Sequence, residues 1–216
     1  MTQVERRACL VIGAGDATGG AIARAFAREG LIACVSRRTR HAEALEALAA
    51  SIRAEGRDAY ALPVDARDES AMTALFDGIE REIAPLEVVV FNIGANVRFD
   101  VTETTAQVYR KVWEMAAFAG FLTGREAARR MIARGRGAIL FTGATASLRG
   151  AAGFSAFAGG KHALRALAQS MARELGPKNI HVAHVIVDGA IDTEFIAGLV
   201  PDIAALRAED AVLSPE

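Results

Sequence analysis

Two stretches carry residues whose types and spacing can do chemistry. In GAGDATGG, residues 13–20, a glycine-rich turn joins an apolar run ending at Ile12 to a helical pattern, AIARAFAR. Such a turn aims backbone N–H groups and the positive end of a helix dipole at one point, an arrangement that favours a diphosphate. Gly13, Gly15, Asp16, Ala17, Thr18 and Gly19 are its candidate contacts. A strict GxGxxG is not met, because Thr18 stands at the third position and Gly19 follows. In GFSAFAGGK, residues 153–161, Phe157 and Lys161 are four residues apart and so share one helix face. This second stretch is no phosphate loop: Ser155 and His162 stand where a Walker pattern needs a glycine and a serine or threonine.

The residue ending the second apolar run, about twenty positions after a glycine turn of this kind, commonly selects the adenosine ribose. Here it is Ser36, followed by Arg37, Arg38 and Arg40. An acidic residue would suit the free ribose hydroxyls of NAD, whereas guanidinium groups suit a 2′-phosphate through paired charge-assisted bonds. The pattern therefore favours NADP(H) over NAD(H), with Asp16 the one opposing charge in the turn.

The elements that must position these groups follow from periodicity. Apolar runs alternate with helix-period stretches: ACLVIG, ATGGAIARAFAREG, LIACVS and RHAEALEALAASIRAEG. The strand DAYALPV, the helix DESAMTALFDGIEREIA and the strand LEVVVFN continue the pattern, and a long helix is predicted from about Thr105 to Arg134. GAILFTG is the next strand, the second chemical stretch opens a helix to about Leu175, and HVAHVIV closes the series before a short helical tail. Alternation of this kind is the signature of a parallel sheet with helices packed on it.

With these residues placed, the chain resembles the short-chain dehydrogenase/reductase family from about Arg7 to Thr193. The family's glycine motif falls on Ile12, Gly13, Ala17 and Gly19. The resemblance implies a Rossmann-type doubly wound parallel sheet, a three-layer α/β/α single domain over residues 1–216, and an NAD(P) cofactor. It gives Asp65, with Ala66 beside it, to the adenine end, and Asn92, Ile93 and Gly94 to the turn after the fourth strand. Asp188, Gly189, Ile191 and Thr193 fall on the segment that holds the nicotinamide carboxamide, with Asp188 in place of a proline.

The family's Asn-Ser-Tyr-Lys set falls on Ala117, Ala144, Phe157 and Lys161, so only the lysine remains. The resemblance implies that Lys161 holds the nicotinamide ribose. A phenol beside an ammonium can donate a proton near neutral pH, and phenylalanine cannot. Nearby groups that stand closest to a substitute are Asp188, as an acid/base, and Arg98, as an anion anchor. Three readings follow: an oxidoreductase with a nonstandard proton supply, a cofactor-binding pseudoenzyme with a regulatory or interaction role, and a scaffold without cofactor. Retention of Gly13, Gly19, Asp65, Lys161 and Thr193 argues against the third.

Composition narrows the partners. The chain has 216 residues, 52% of them hydrophobic, and a formal net charge of -1, which gives no basic field for nucleic acid or a membrane surface. The expected partner is a small molecule of unidentified structure in a cleft made apolar by Phe91, Ile93, Phe154 and Phe157. Cys9 and Cys34 lie in apolar runs and match neither a metal quartet nor a disulfide framework, so a cytoplasmic protein without a metal site is expected. The resemblance implies a homodimer or homotetramer. The chain stops at LSPE, where this architecture is expected to supply one more helix and strand.

Overall fold

A computed structural model describes residues 6–15, 17–193, 203–209 and 212–215. Six strands form one parallel sheet in the order β3-β2-β1-β4-β5-β6. They are β1 (Ala8–Ile12), β2 (Ile32–Ser36), β3 (Ala59–Ala61), β4 (Leu86–Phe91), β5 (Gly137–Thr142) and β6 (Ile180–Val185). The strand order reverses between β1 and β4, and the crevice outside the carboxyl ends at that point is where such sheets bind ligands.

Helices cover both faces, which is why β1 and β2 are buried along their whole length. On one face, α1 (Thr18–Arg28) and α2 (Ala42–Ala54) pack Ala23, Ala27, Leu45, Leu48 and Ile52 against Cys9, Val11, Ala33 and Val35. On the other, α3 (Glu69–Gly78), α5 (Ala119–Arg134) and α6 (Ser155–Leu175) bring Met72, Phe76, Leu122, Met131 and Leu164 onto Leu10, Val89, Phe91 and Phe141. The expected three-layer Rossmann-type architecture is the observed one.

Three local differences from the sequence reading have physical causes. The strand expected over DAYALPV is regular only for Ala59–Ala61, since Pro63 has no N–H to donate; Leu62 and Val64 still donate to Val35 and Arg37 carbonyls. The helix predicted from Thr105 is capped by the Thr105 hydroxyl, which accepts from the Val108 N–H at 3.2 Å, and begins as α4 (Ala106–Trp113). A single π-helical turn, Glu114–Phe118, joins it to α5, and Gly135 ends the run at a left-handed φ of 67°. Beyond β6, two short strands, β7 (Ala190–Ile191) and β8 (Val212–Leu213), pair in parallel, and α7 (Ile203–Ala208) is tied back by a paired Arg207–Asp192 contact.

Candidate active site

The glycine turn is held from below. Ser36 is fully buried: its hydroxyl donates to the Leu62 carbonyl at 2.6 Å and its own carbonyl accepts from the Gly13 and Ala14 N–H groups. Ser36 thus faces the sheet interior, and the groups next to the turn are its arginine neighbours. Gly13 has φ +87°, and a Cβ there would stand 2.8 Å from the Asn92 carbonyl oxygen. A Cβ at Gly19 would stand 2.6 Å from the Gly13 oxygen. Both positions admit glycine alone, and the Asn92 amide locks the turn by donating to the Gly13 carbonyl at 3.2 Å.

Above this turn α1 starts at Thr18 after Ala17, with no side-chain cap and no acidic residue in its first turn. The Gly20 N–H is spent on the Gly15 carbonyl at 2.8 Å, so those of Thr18 and Gly19 ahead of it are the ones a ligand can take. The Arg37 guanidinium carbon lies 3.7 Å from where a Gly15 Cβ would be. Arg38 stands nearby with Arg40, Arg67 and Asp65; burial first, then the neighbouring cations, hold its guanidinium below its ordinary value. Asp65 is gripped by Arg67, whose side chain donates to both carboxylate oxygens at 2.9 and 2.5 Å, and these bonds keep the carboxyl below its usual range. The end of the crevice beside β2 and β3 is thus an arginine cluster around one engaged carboxylate, with Ala66 buried beside it. Asp16 lies outside the described residues.

At the other end of the crevice stands Lys161, 2% exposed. Its ammonium donates to the Ile93 carbonyl at 3.1 Å and the Thr142 carbonyl at 2.9 Å, using two of its three N–H groups. These carbonyls follow β4 and end β5, so the lysine joins those two strands, next to the switch point between β1 and β4. Burial lowers its pKa to about 8. The Phe157 ring, 8% exposed, has its centroid 5.9 Å from Nζ, an apolar cover over the ammonium. Gly94 lies in open space at the end of this turn.

Ala144 lies one residue beyond the end of β5, after Gly143, and its N–H donates to the buried Ser147 hydroxyl at 3.1 Å. The neighbouring Thr145 hydroxyl donates to the Asp188 carboxylate, which brings the carboxyl ends of β5 and β6 together. Ala117 is buried inside the π-helical turn, a departure from α geometry that is frequent at functional sites. Gly189 and Ile191 are engaged by the C-terminal segment: a Gly189 Cβ would meet Leu213 at 2.9 Å, and Ile191 pairs with Leu213. Thr193 closes this described stretch.

The two glycines ahead of Lys161 serve helix packing. A Cβ at Gly159 would stand 2.7 Å from the Tyr109 hydroxyl, and one at Gly160 would stand 3.0 Å from the Ala116 Cβ, so both admit the α4 side of the neighbouring helix. His162 turns away, its Nδ1 at 2.9 Å from the Ala158 carbonyl.

Sequence reasoning gave His184 no role, yet its ring fills the space beside Gly143, where a Cβ would stand 2.2 Å from Cε1. Its Nε2 is buried without a hydrogen-bond partner. Burial, with the charges of Lys161 and Arg165 adding to it, holds the imidazole below its usual pKa and therefore neutral at neutral pH. Period-two alternation was the available signal: Ile180 and Val182 face the core under α6, and His184 is next in that series.

This crevice has the layout of a dinucleotide-dependent oxidoreductase of the doubly wound α/β class. The chain matches the short chain dehydrogenase family over residues 7–203, and it belongs to that family. It is 30% identical to a cis-4-hydroxycyclohexanecarboxylate dehydrogenase of Sinomonas cyclohexanicum, over 94% of this chain and 80% of that one. A short-chain dehydrogenase crystal structure from Rhodopseudomonas palustris is 50% identical, with a TM-score of 0.80 over 96% of this chain and 95% of that one. A Burkholderia cenocepacia gluconate 5-dehydrogenase in complex with NADP and tartrate is 25% identical, with a TM-score of 0.84 over 93% of this chain and 78% of that one. Among the described residues no helix is long and apolar enough to cross a membrane.

Proposed function

We propose that the chain is an NADP(H)-binding oxidoreductase that moves hydride to or from a carbonyl or alcohol substrate with a reduced proton machinery. Of the family's Asn-Ser-Tyr-Lys set it keeps only Lys161. The observation that carries the cofactor half of this reading is the spacing of cations along one crevice. Arg37 and Arg38 stand at the adenine end and Lys161 at the nicotinamide end, with a glycine turn between them that admits no Cβ at positions 13 or 19.

The residues fit such a cofactor. Arg37 and Arg38 would hold the 2′-phosphate, the open N–H groups at the start of α1 the diphosphate, and Lys161 the nicotinamide ribose. When bound, the nicotinamide supplies or accepts the hydride. Proximity alone is worth a large rate factor. The proton is the weaker half of the reaction: Phe157 offers none, and beside the serine position stand the Ser147 hydroxyl, bonded to the Ala144 N–H, and the Thr145–Asp188 pair. The same family reading gives a homodimer or homotetramer, supported by exposed Trp113 and Phe121 on the outer face of the α4–α5 helix.

A second reading, a cofactor-binding pseudoenzyme, is favoured by one observation: Phe157 seals the ammonium where a proton donor would stand. Calorimetric titration separates these possibilities. NADPH is expected to bind, and more tightly than NADH; absence of heat with both would overturn both readings. In a binding-competent protein, Phe157→Tyr with Ala144→Ser is expected to raise carbonyl reduction by about 10²- to 10⁴-fold, the usual worth of a positioned general acid. No turnover on a broad carbonyl panel would favour the pseudoenzyme.

A further inference from the structure

A continuous row of rings runs outward from the lysine. Phe157 lies over Lys161, and Phe154 meets Phe157 with ring centroids 6.5 Å apart and planes tilted by 58°. The Arg98 guanidinium carbon then stands 5.8 Å over the Phe154 centroid. The row thus has a buried ammonium at its inner end, two phenyl rings as its wall, and an exposed guanidinium at its outer end.

Arg98 is held in this place. Gly153 has φ +79°, and a Cβ there would stand 3.0 Å from Arg98 Cγ, so the arginine stem lies directly on the backbone before α6. The next residue, Phe99, donates its N–H to the Gly153 carbonyl at 2.9 Å and pins the loop after β4 to the same point. The cation–π contact with Phe154 places the guanidinium while leaving its donors for a ligand. Among the described residues no carboxylate lies within ion-pair distance of it: Asp188 is taken by Thr145 and Asp192 by Arg207.

We propose that Arg98 and Phe154 form a substrate subsite for a carboxylate, so that the substrate class is a ketone or alcohol whose apolar body lies along Phe154 and Phe157 and whose distal end is a carboxylate. One guanidinium offers two parallel N–H bonds, the geometry of a carboxylate. Phe154 touches both Phe157 and Arg98, so an apolar body on that ring brings a terminal carboxylate to the guanidinium. This inference rests on the oxidoreductase reading for the reacting carbon, while the anion subsite itself stands on Arg98, Gly153 and Phe154.

The test uses the full chain and one isosteric pair of probes, 4-oxocyclohexanecarboxylate and its primary amide, titrated with and without NADPH. NADPH binding is measured first, so a failure of the cofactor reading is recorded separately from a failure of the subsite. The carboxylate is expected to bind about tenfold or more tightly than the amide. In Arg98→Gln that preference is lost with NADPH affinity unchanged, and in Arg98→Lys part of it returns. Equal binding of the two probes by the unmodified chain, or a preference that persists in Arg98→Gln, overturns the proposal. If NADPH does not bind, the same comparison in the cofactor-free protein decides the subsite by the same two outcomes.

Discussion

Lys161 is the residue on which stability and function pull apart. A buried lysine whose pKa falls to about 8, from an ordinary value near 10.5, disfavours the folded state wherever the group is charged. Between those two values the unfolded chain binds the extra proton, so stability rises with pH across that window. The benefit is present above the unfolded value and lost as pH falls through the folded one. Lys161→Met removes this dependence. Its thermal stability relative to the parent is expected to be highest at neutral pH and to decline as pH rises from about 8 to 10.5, by up to about 3 kcal/mol at 1.36 kcal/mol per unit. The same variant is expected to lose NADPH affinity. Parallel pH–stability curves for the two proteins would show that the ammonium is not held as described.

At the scale of elements, the β1–α1 turn and the β4 carboxyl end form one unit. Gly13, Gly19 and Asn92 occupy each other's space, so the turn has no room to move when a side chain is added. Gly19→Ala forces a Cβ against a backbone oxygen and is expected to cost about 1–3 kcal/mol in chemical denaturation, with loss of NADPH binding. Gly94→Ala, in the same crevice but in open space, is expected to stay within about 0.5 kcal/mol of the parent. A Gly19→Ala variant as stable as the parent would mean that the turn is looser than these distances require.

Across the whole molecule, α5 is the element that must hold its place for the crevice to form. Buried Glu126 is gripped by Arg125, Arg129 and Arg130; Arg125 reaches Glu69 and Arg130 reaches Asp77, so a charge network ties α5 to α3. The same helical run exposes Trp113 and Phe121, stacked on either side of half-buried Phe118 with centroids 6.1 and 6.3 Å apart. If that face joins copies of the chain, Phe121→Glu is expected to lower the mass measured by light scattering while leaving far-UV circular dichroism unchanged. A monomeric parent, or a variant with the parent's mass, would count against it.

The order of strands and helices, the glycine turn, the arginines after β2 and the Phe157–Lys161 spacing are all legible in the sequence, because each is a local pattern of period, turn chemistry or helix face. Two features are not. The Ser36 hydroxyl turns inward to Leu62, and His184 fills the space beside Gly143. Each depends on which atoms of distant segments meet. The sequence by itself determined which groups remain at the ends of the strands and that no phenol follows the glycine-rich crevice at position 157. Only the tertiary structure decided that Lys161 spends its hydrogen bonds on two strand-end carbonyls, and that a row of rings leads from it to Arg98. Those arrangements arise from packing between β4, β5 and α6, contacts that no spacing along the chain encodes.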